Sequence, residues 1–157
     1  NVSYLPEQNS LSYFRTIQDA MSFYANMFPD FDSALANDLV FRFELQPEQK
    51  IKSLTYSTLQ KVKFLLAMAR KTKLYLLDEP FRGLDPISRE IAVNVVLQTY
   101  SSECAIMIAT QSVGEFEEIF DTVIMMGNGK IVVNDDADIV REKSGKMIQT
   151  LVREVFK

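Results

Sequence analysis

Two adjacent carboxylates follow a short apolar run near the middle of the chain, in the segment LYLLDEPFRGLDP (residues 74–86). The run LYLL is apolar at every position, which is typical of an interior strand of a parallel sheet. Ligands of open α/β sheets bind beyond the carboxyl ends of such strands, where Asp78 and Glu79 would lie. Mg²⁺ is usually held by one or two carboxylates together with phosphate oxygens. We therefore predict that Asp78 binds Mg²⁺ and that Glu79 orients or deprotonates an attacking water.

Acidic residues after a strand have a simpler explanation, because they often form turns or cap helices. The dipeptide alone does not separate the two explanations. The surrounding pattern favours the first explanation, a site for Mg²⁺ and an attacking water. From residue 74 onward, the apolar runs LYLL, CAIMIA and TVIMM alternate with helical stretches, which predicts an α/β fold with a mostly parallel sheet.

The remaining segments predict helices and one hairpin. Before residue 44, apolar residues at helical spacing predict two amphipathic helices that are separated at Pro29. GNG at 127–129 predicts a hairpin turn between two β-rich runs. The tail predicts one or two helices with a break at Gly145.

Composition limits the class of protein. The chain has 157 residues, 47% of them hydrophobic, and we expect one or two globular units. A formal net charge of -4 argues against a general nucleic-acid binder. Cys104 is the single cysteine, which excludes an internal disulfide and indicates a reducing compartment. No apolar run approaches the ~20 residues that span a bilayer, so any membrane association is expected to go through a partner.

Several ordered segments together resemble the ABC-type ATPases, the nucleotide-binding subunits of ABC transporters. LYLLDEP resembles the Walker B strand with its catalytic glutamate, and RGLDP resembles the D-loop. SLTYSTLQKVKFLLAMAR resembles the signature motif and its helix, at the family's spacing from Walker B. IMIATQS falls where the family has the strand ending in the switch histidine, and YLPEQ falls at the Q-loop. MMGNGKIV resembles the terminal hairpin.

The resemblance implies a partial P-loop NTPase (RecA-like) α/β core with a mostly parallel sheet, plus an all-helical signature subdomain. Residues 1–73 would form the Q-loop and the helical subdomain. Residues 74–157 would form the Walker B, D-loop and switch part of the core with the C-terminal helices. The family's phosphate loop, GxxxxGK[ST], does not occur in the sequence. We therefore expect the chain to be the later part of a longer subunit, and to be inactive alone because nothing in it would hold the β- and γ-phosphates.

The resemblance also assigns roles to particular residues, with ATP and Mg²⁺ as cofactors. Glu79, Gln111 and Glu7 would be catalytic, and Asp78 and Glu7 would contact Mg²⁺. The expected nucleotide contacts are Leu54, Thr55, Ser57, Thr58, Asp85 and Gln8. The signature helix is expected to begin just after Thr55, Ser57 and Thr58, so that backbone N–H groups and hydroxyls face a phosphate. A plain Ser/Thr N-cap is the alternative for these hydroxyls.

Three of these motifs depart from the family pattern. Tyr56 and Ser57 replace both signature glycines, which implies a weaker grip on phosphate because glycine allows the closest backbone approach. The chain has no histidine, and Gln111 stands at the switch position, where it can orient water but cannot carry a proton's charge. The Q-loop position aligns with Glu7, which would bring a negative charge toward Mg²⁺. Some drug and peptide exporters resemble the chain in carrying YLPE.

The family's function is therefore expected here, as an ATP-binding and ATP-hydrolysing subunit of an ABC transporter that exports a drug, peptide or similar substrate. Its partners would be a second ABC ATPase subunit, in a homodimer or heterodimer, and a transmembrane permease, with no nucleic acid. It would be cytoplasmic and peripheral on the inner face of the cell membrane. Leu11, Tyr13 and Phe14 would receive the permease or, alternatively, pack in the helical core. A non-transport ABC protein and a catalytically weak regulatory subunit are the alternatives, and retention of Asp78 and Glu79 argues against the second.

Overall fold

The computed structural model describes residues 1–114, 119–145 and 147–155. These residues form two compact units, which divide between Thr110 and Gln111. The predicted functional boundary between residues 73 and 74 lies inside the first unit. That boundary stays a prediction.

A three-stranded parallel sheet forms the centre of the first unit. Its strands are β1 (Val2–Leu5), β2 (Leu74–Asp78) and β3 (Ala105–Ala109), in the order β1-β2-β3. The central strand is β2, as its apolar sequence predicts, because it has a hydrogen-bonded neighbour on each side. The register places Asp78 opposite Ala109, so the carboxyl ends of β2 and β3 lie side by side.

Four α-helices complete the first unit, together with a short 3₁₀ turn at Ile51–Ser53. The helices are α1 (Ile17–Met27), α2 (Ser33–Arg42), α3 (Tyr56–Met68) and α4 (Pro86–Thr99). The predicted break at Pro29 is confirmed, because α1 ends before it and α2 begins after Asp32, whose carboxylate accepts from two backbone N–H groups of the first turn. Helix α3 is buried along its whole second half, from Val62 to Met68.

The second unit begins with a hairpin. Strands β4 (Thr122–Gly127) and β5 (Lys130–Asp136) pair antiparallel, with Asn128 and Gly129 both at positive φ in the predicted turn. The expectation that TVIMM joins the parallel sheet is therefore wrong for the described residues, since it forms a separate two-stranded sheet. A two-residue turn leaves no room for the crossover that parallel pairing requires.

Two helices follow the hairpin, α5 (Ala137–Ser144) and α6 (Ile148–Val155). The predicted break at Gly145 is confirmed, because this residue ends α5 in the left-handed conformation, at φ 61°. Val123 and Met125 of β4 pack with Val140 and Ile148 in a small core of this unit's own.

A buried ion pair joins the segment between α1 and α2 to the end of α3. The Arg70 guanidinium donates to both carboxylate oxygens of Asp30, and its carbon lies 3.8 Å from the centre of the Phe28 ring. The two charged side chains are only 9% and 12% exposed. Hydrogen bonding from Arg70 is the main cause that lowers the pKa of the Asp30 carboxyl.

We expect Asp30→Ala to lower the free energy of unfolding by about 3–5 kcal/mol, because it leaves the Arg70 charge buried without its partner. The lowered pKa of Asp30 makes this contribution complete above about pH 4, the ordinary pKa, and removes it as the pH falls through the lowered value. Urea unfolding at several pH values measures the difference. Asp38→Ala is the matched control, since Asp38 is 54% exposed and pairs within one helix turn of Arg42, which is typically worth about 0.3–0.5 kcal/mol. Equal losses in the two variants would contradict the assignment.

Candidate functional site

Asp78 and Glu79 lie at the carboxyl end of strand β2, at the carboxyl edge of the parallel sheet. Asp78 is the last residue of the strand and is half-buried. Glu79 follows with a left-handed backbone at φ 46° and is 8% exposed, while its N–H donates to the Ala109 carbonyl at 2.8 Å. This conformation costs a non-glycine residue about 1–3 kcal/mol and is concentrated at functional sites. The turn thus fixes Glu79 at the end of the central strand.

Thr110 holds the Glu79 carboxylate. The Thr110 hydroxyl donates to Glu79 Oε2 at 3.0 Å from the end of the neighbouring strand. Sequence reasoning missed this residue. The sequence does contain a signal for it, because Thr110 is the first polar side chain after the apolar run of β3, a strand that is parallel to β2. The two strands together therefore position one buried carboxylate.

Asp85 begins helix α4 as its N-cap. Its carboxylate accepts from the Ser88 N–H at 2.9 Å and from the Ser88 hydroxyl at 2.8 Å, and it pairs with Lys61 Nζ at 2.9 Å. The Ser88 N–H first, and then Lys61, hold the pKa of Asp85 well below its ordinary value. These contacts give Asp85 a structural role, and its predicted contact with nucleotide stays a prediction.

The signature-like segment is an N-capped helix start. Helix α3 begins at Tyr56, and the Thr55 hydroxyl caps it by accepting from the Thr58 N–H at 3.2 Å. The expectation that the helix starts after Ser57 and Thr58 is wrong, because both lie in its first turn. The Thr55 cap takes one N–H group of that turn, as the N-cap alternative predicts. Leu54 is half-buried and precedes the cap.

Tyr56, which stands where the family has a glycine, packs against the loop after Glu79. An added Cβ at Gly83 would lie 2.3 Å from Tyr56 Cε1, so the ring covers that glycine closely. Gly83 itself has φ 76°, which also favours glycine. Gln60 donates to both the Tyr56 hydroxyl at 3.3 Å and the Arg82 carbonyl at 3.2 Å. The start of α3 is thereby tied to the loop that carries Arg82 and Gly83.

Glu7 is held from two directions, although its negative charge was expected to face Mg²⁺. Its carboxylate pairs with the Arg82 guanidinium, and its carbonyl accepts from Lys63 Nζ at 2.7 Å. Lys63 is only 4% exposed, and burial lowers the pKa of its ammonium, while the charges of Glu7 and Asp78 raise it in part. Gln8, next in the chain, is exposed. The catalytic and metal roles of Glu7 and the nucleotide contact of Gln8 stay predictions.

Gln111 belongs to the second unit. It is exposed and lines a cleft of about 280 Å³ together with Gly114, Gln149, Val152 and Arg153. Its predicted role as the switch residue stays a prediction.

The three candidate permease contacts differ in exposure. Leu11 is 1% exposed and packs in the core, as the packing alternative predicts, so it offers no surface. Tyr13 is 94% exposed. The Phe14 ring lies 5.2 Å from the Phe23 ring. Tyr13 is therefore the most exposed of the three side chains.

The donor set suits Mg²⁺ bound together with a nucleotide. Within the described ranges, no three His, Cys, Asp or Glu side chains converge as ligands for a metal ion. Mg²⁺ usually takes one or two carboxylates and completes its shell with phosphate oxygens and water. Asp78 at the edge of the sheet, with the buried Glu79 beside it, fits that arrangement.

In the part of the chain that the structure describes, no helix has the length and apolar character needed to cross a membrane.

The parallel sheet and helices define an α/β protein, and its structural neighbours show that the fold is that of ABC ATPase domains, a P-loop NTPase fold. A solved structure described as the ATP binding subunit of an ABC transporter superimposes with a TM-score of 0.87 at 21% identity, over 99% of this chain and 68% of that one. No protein-family model matches the chain.

The sequence relatives are ABC transporter proteins. The chain is 26% identical over 155 residues to YhaQ of Bacillus subtilis (strain 168), an uncharacterised ABC transporter ATP-binding protein, and covers 52% of it. It is 25% identical over 150 residues to the human glucosylceramide transporter ABCA12, and covers 6% of it. These matches span 96% and 92% of the chain. The resemblance to ABC transporter ATP-binding proteins is confirmed, and the chain spans about half the length of the bacterial relative.

Proposed function

We propose that the chain supplies the Walker B, signature and Q-loop segments of a subunit that hydrolyses ATP to drive transport. The observation that carries the proposal is the carboxylate pair at the end of β2, where Asp78 is half-buried and Glu79 is buried and hydrogen-bonded to Thr110. A structural turn would not need a buried acidic residue at positive φ. The names of the relatives support ATP as the nucleotide.

Each residue of the site has a proposed task in the reaction. Bound Mg²⁺ supplies charge neutralisation on the phosphate oxygens, and Asp78 would hold it. Glu79 accepts a proton from the attacking water through its buried carboxylate, while Asp78 is assigned to the metal. The Thr110 hydroxyl orients that carboxylate through Oε2. Gln111 would orient water at the switch position.

The partners follow from the same proposal. A second ABC ATPase subunit would complete the site across a dimer interface, through Leu54, Thr55, Ser57 and Thr58 of the signature segment. A transmembrane permease would hold the subunit at the cytoplasmic face of the membrane, with Tyr13 as a contact. Export of a drug, peptide or similar substrate is the proposed direction, on the resemblance of YLPE to exporter sequences.

A catalytically weak or regulatory subunit is a second candidate. The packing of Tyr56 on Gly83 favours it, because a tyrosine stands where the family brings glycine to phosphate. Slow turnover with intact ATP binding would identify this case.

The experiment uses a subunit that carries this chain together with a phosphate loop. We expect phosphate release from ATP that requires Mg²⁺ and stops when EDTA is added, at about 1 to 10³ per second for an ordinary enzyme and more slowly for the weak subunit. A fluorescent ATP analogue measures binding in the same preparation. If neither binding nor Mg²⁺-dependent hydrolysis is found, the proposed function is wrong.

A further inference from the structure

We propose that Lys63 and Arg82 are positioning residues that hold Glu7, in the Q-loop segment YLPEQ, against the loop that follows Glu79, here called the catalytic loop. Together with Gln60 the three residues form a clasp, which consists of Glu7, Gln60, Lys63 and Arg82. This inference rests on the proposed function, because it assigns the clasp a task in the Mg²⁺-dependent reaction.

The four residues form a closed ring of polar contacts. Lys63 Nζ donates to the Glu7 carbonyl at 2.7 Å and to Gln60 Oε1 at 2.8 Å. Gln60 Nε2 donates to the Arg82 carbonyl at 3.2 Å, and the Arg82 guanidinium donates to the Glu7 carboxylate. The ring joins three segments that are distant in sequence: the loop after β1, helix α3 and the loop after Glu79.

Packing does not explain a lysine at this place. Lys63 lies between Val62 and Phe64, both fully buried, and is itself 4% exposed. Burial of an ammonium group costs free energy because the group loses its hydration, whereas burial of an apolar side chain is favourable. Its hydrogen bonds go to Glu7 and Gln60. We therefore ascribe the function of Lys63 to the two segments that it joins, the loop after β1 and helix α3.

The clasp also compensates the negative charge of Glu7 at the Q-loop position. Burial lowers the pKa of the Lys63 ammonium, and the negative charges of Glu7 and Asp78 raise it in part. Arg82 adds a second positive charge at the Glu7 carboxylate. With the clasp closed, the Glu7 charge is compensated by Arg82. Arg82 lies three positions after Glu79 in the same loop, so the position of Glu7 is coupled to that of the catalytic loop.

Cleavage after Glu7 by a glutamate-specific protease tests the clasp without nucleotide. Lys63→Met is expected to raise the rate of cleavage between Glu7 and Gln8 at least about tenfold, because the segment opens more often once its charge-assisted hydrogen bond is lost. Cleavage after the exposed Glu103 serves as an internal reference and should not change. Lys52→Met, at an exposed lysine, is the control variant. Equal acceleration at Glu7 and Glu103 would mean general destabilisation and would overturn the proposal.

The coupling of Glu7 to Arg82 is tested by the Mg²⁺ dependence of ATP turnover. Arg82→Gln is expected to change the Mg²⁺ concentration for half-maximal rate by about two- to fivefold, because the pair is half-exposed. Glu7→Gln combined with Arg82→Gln should behave like Glu7→Gln alone, since no charge remains to be compensated. Strictly additive effects would overturn the proposal. The protease result stands without ATP hydrolysis, so it separates failure of the clasp from failure of the proposed function.

Discussion

In a subunit that carries this chain together with a phosphate loop, ATP turnover is expected to fall about 10²- to 10⁴-fold when Glu79 is replaced by Gln, while ATP affinity stays within about twofold. The amide of Gln keeps the shape of the side chain and can still bond to Thr110, but it cannot accept a proton from water. Burial makes the loss severe, because Glu79 is 8% exposed and solvent does not readily supply another base. Phosphate release and equilibrium binding of ATP, measured on one preparation, give the two quantities.

Glu90→Gln is the matched control for this change. Glu90 is exposed on helix α4 and should tolerate the amide without loss of rate. Turnover of the Glu79→Gln variant within twofold of the wild type would mean that another group is the base.

The second large effect is expected from Asp78→Asn, which should raise the Mg²⁺ concentration for half-maximal ATP binding by about tenfold or more. A neutral amide oxygen is a much poorer ligand for a hard cation than a carboxylate oxygen. Binding of ATP in EDTA should be unchanged, because the metal is then absent from both proteins. Titration of Mg²⁺ against a fluorescent ATP analogue measures the shift.

Asp38→Asn serves as the control, since Asp38 lies on the exposed face of α2 and pairs with Arg42. An Asp78→Asn variant that loses ATP binding equally with and without Mg²⁺ would show that Asp78 supports the fold rather than the metal.

The sequence was informative where a local pattern determines the structure. The apolar run LYLL predicted a central strand, Pro29 and Gly145 predicted helix boundaries, and GNG predicted the hairpin turn. Each of these signals acts within a few residues, through backbone conformation or alternation of side chains. The position of Asp78 and Glu79 at the end of β2 was predictable for the same reason, because they directly follow a recognisable apolar run.

Contacts between distant segments could not be predicted in this way. Thr110 reaches Glu79 through the register of β2 and β3, and Lys63 reaches Glu7 across 56 positions. Pairing of TVIMM with the parallel sheet was wrong because an apolar run looks the same in either kind of sheet. The start of α3 was misplaced by a few residues, since Ser and Thr suit both an N-cap and the first turn.

The identity of the protein-bound nucleotide is a direct test of Glu79 as the catalytic base. A subunit that carries this chain together with a phosphate loop is incubated with Mg²⁺ and radiolabelled ATP and separated rapidly from free nucleotide, and the bound fraction is resolved into ATP and ADP. We expect mainly ADP on the wild-type and Glu90→Gln proteins and intact ATP on Glu79→Gln, since that variant should bind ATP without hydrolysing it. The same ratio of ADP to ATP on all three proteins would contradict the assignment of Glu79 as the catalytic base at the end of β2.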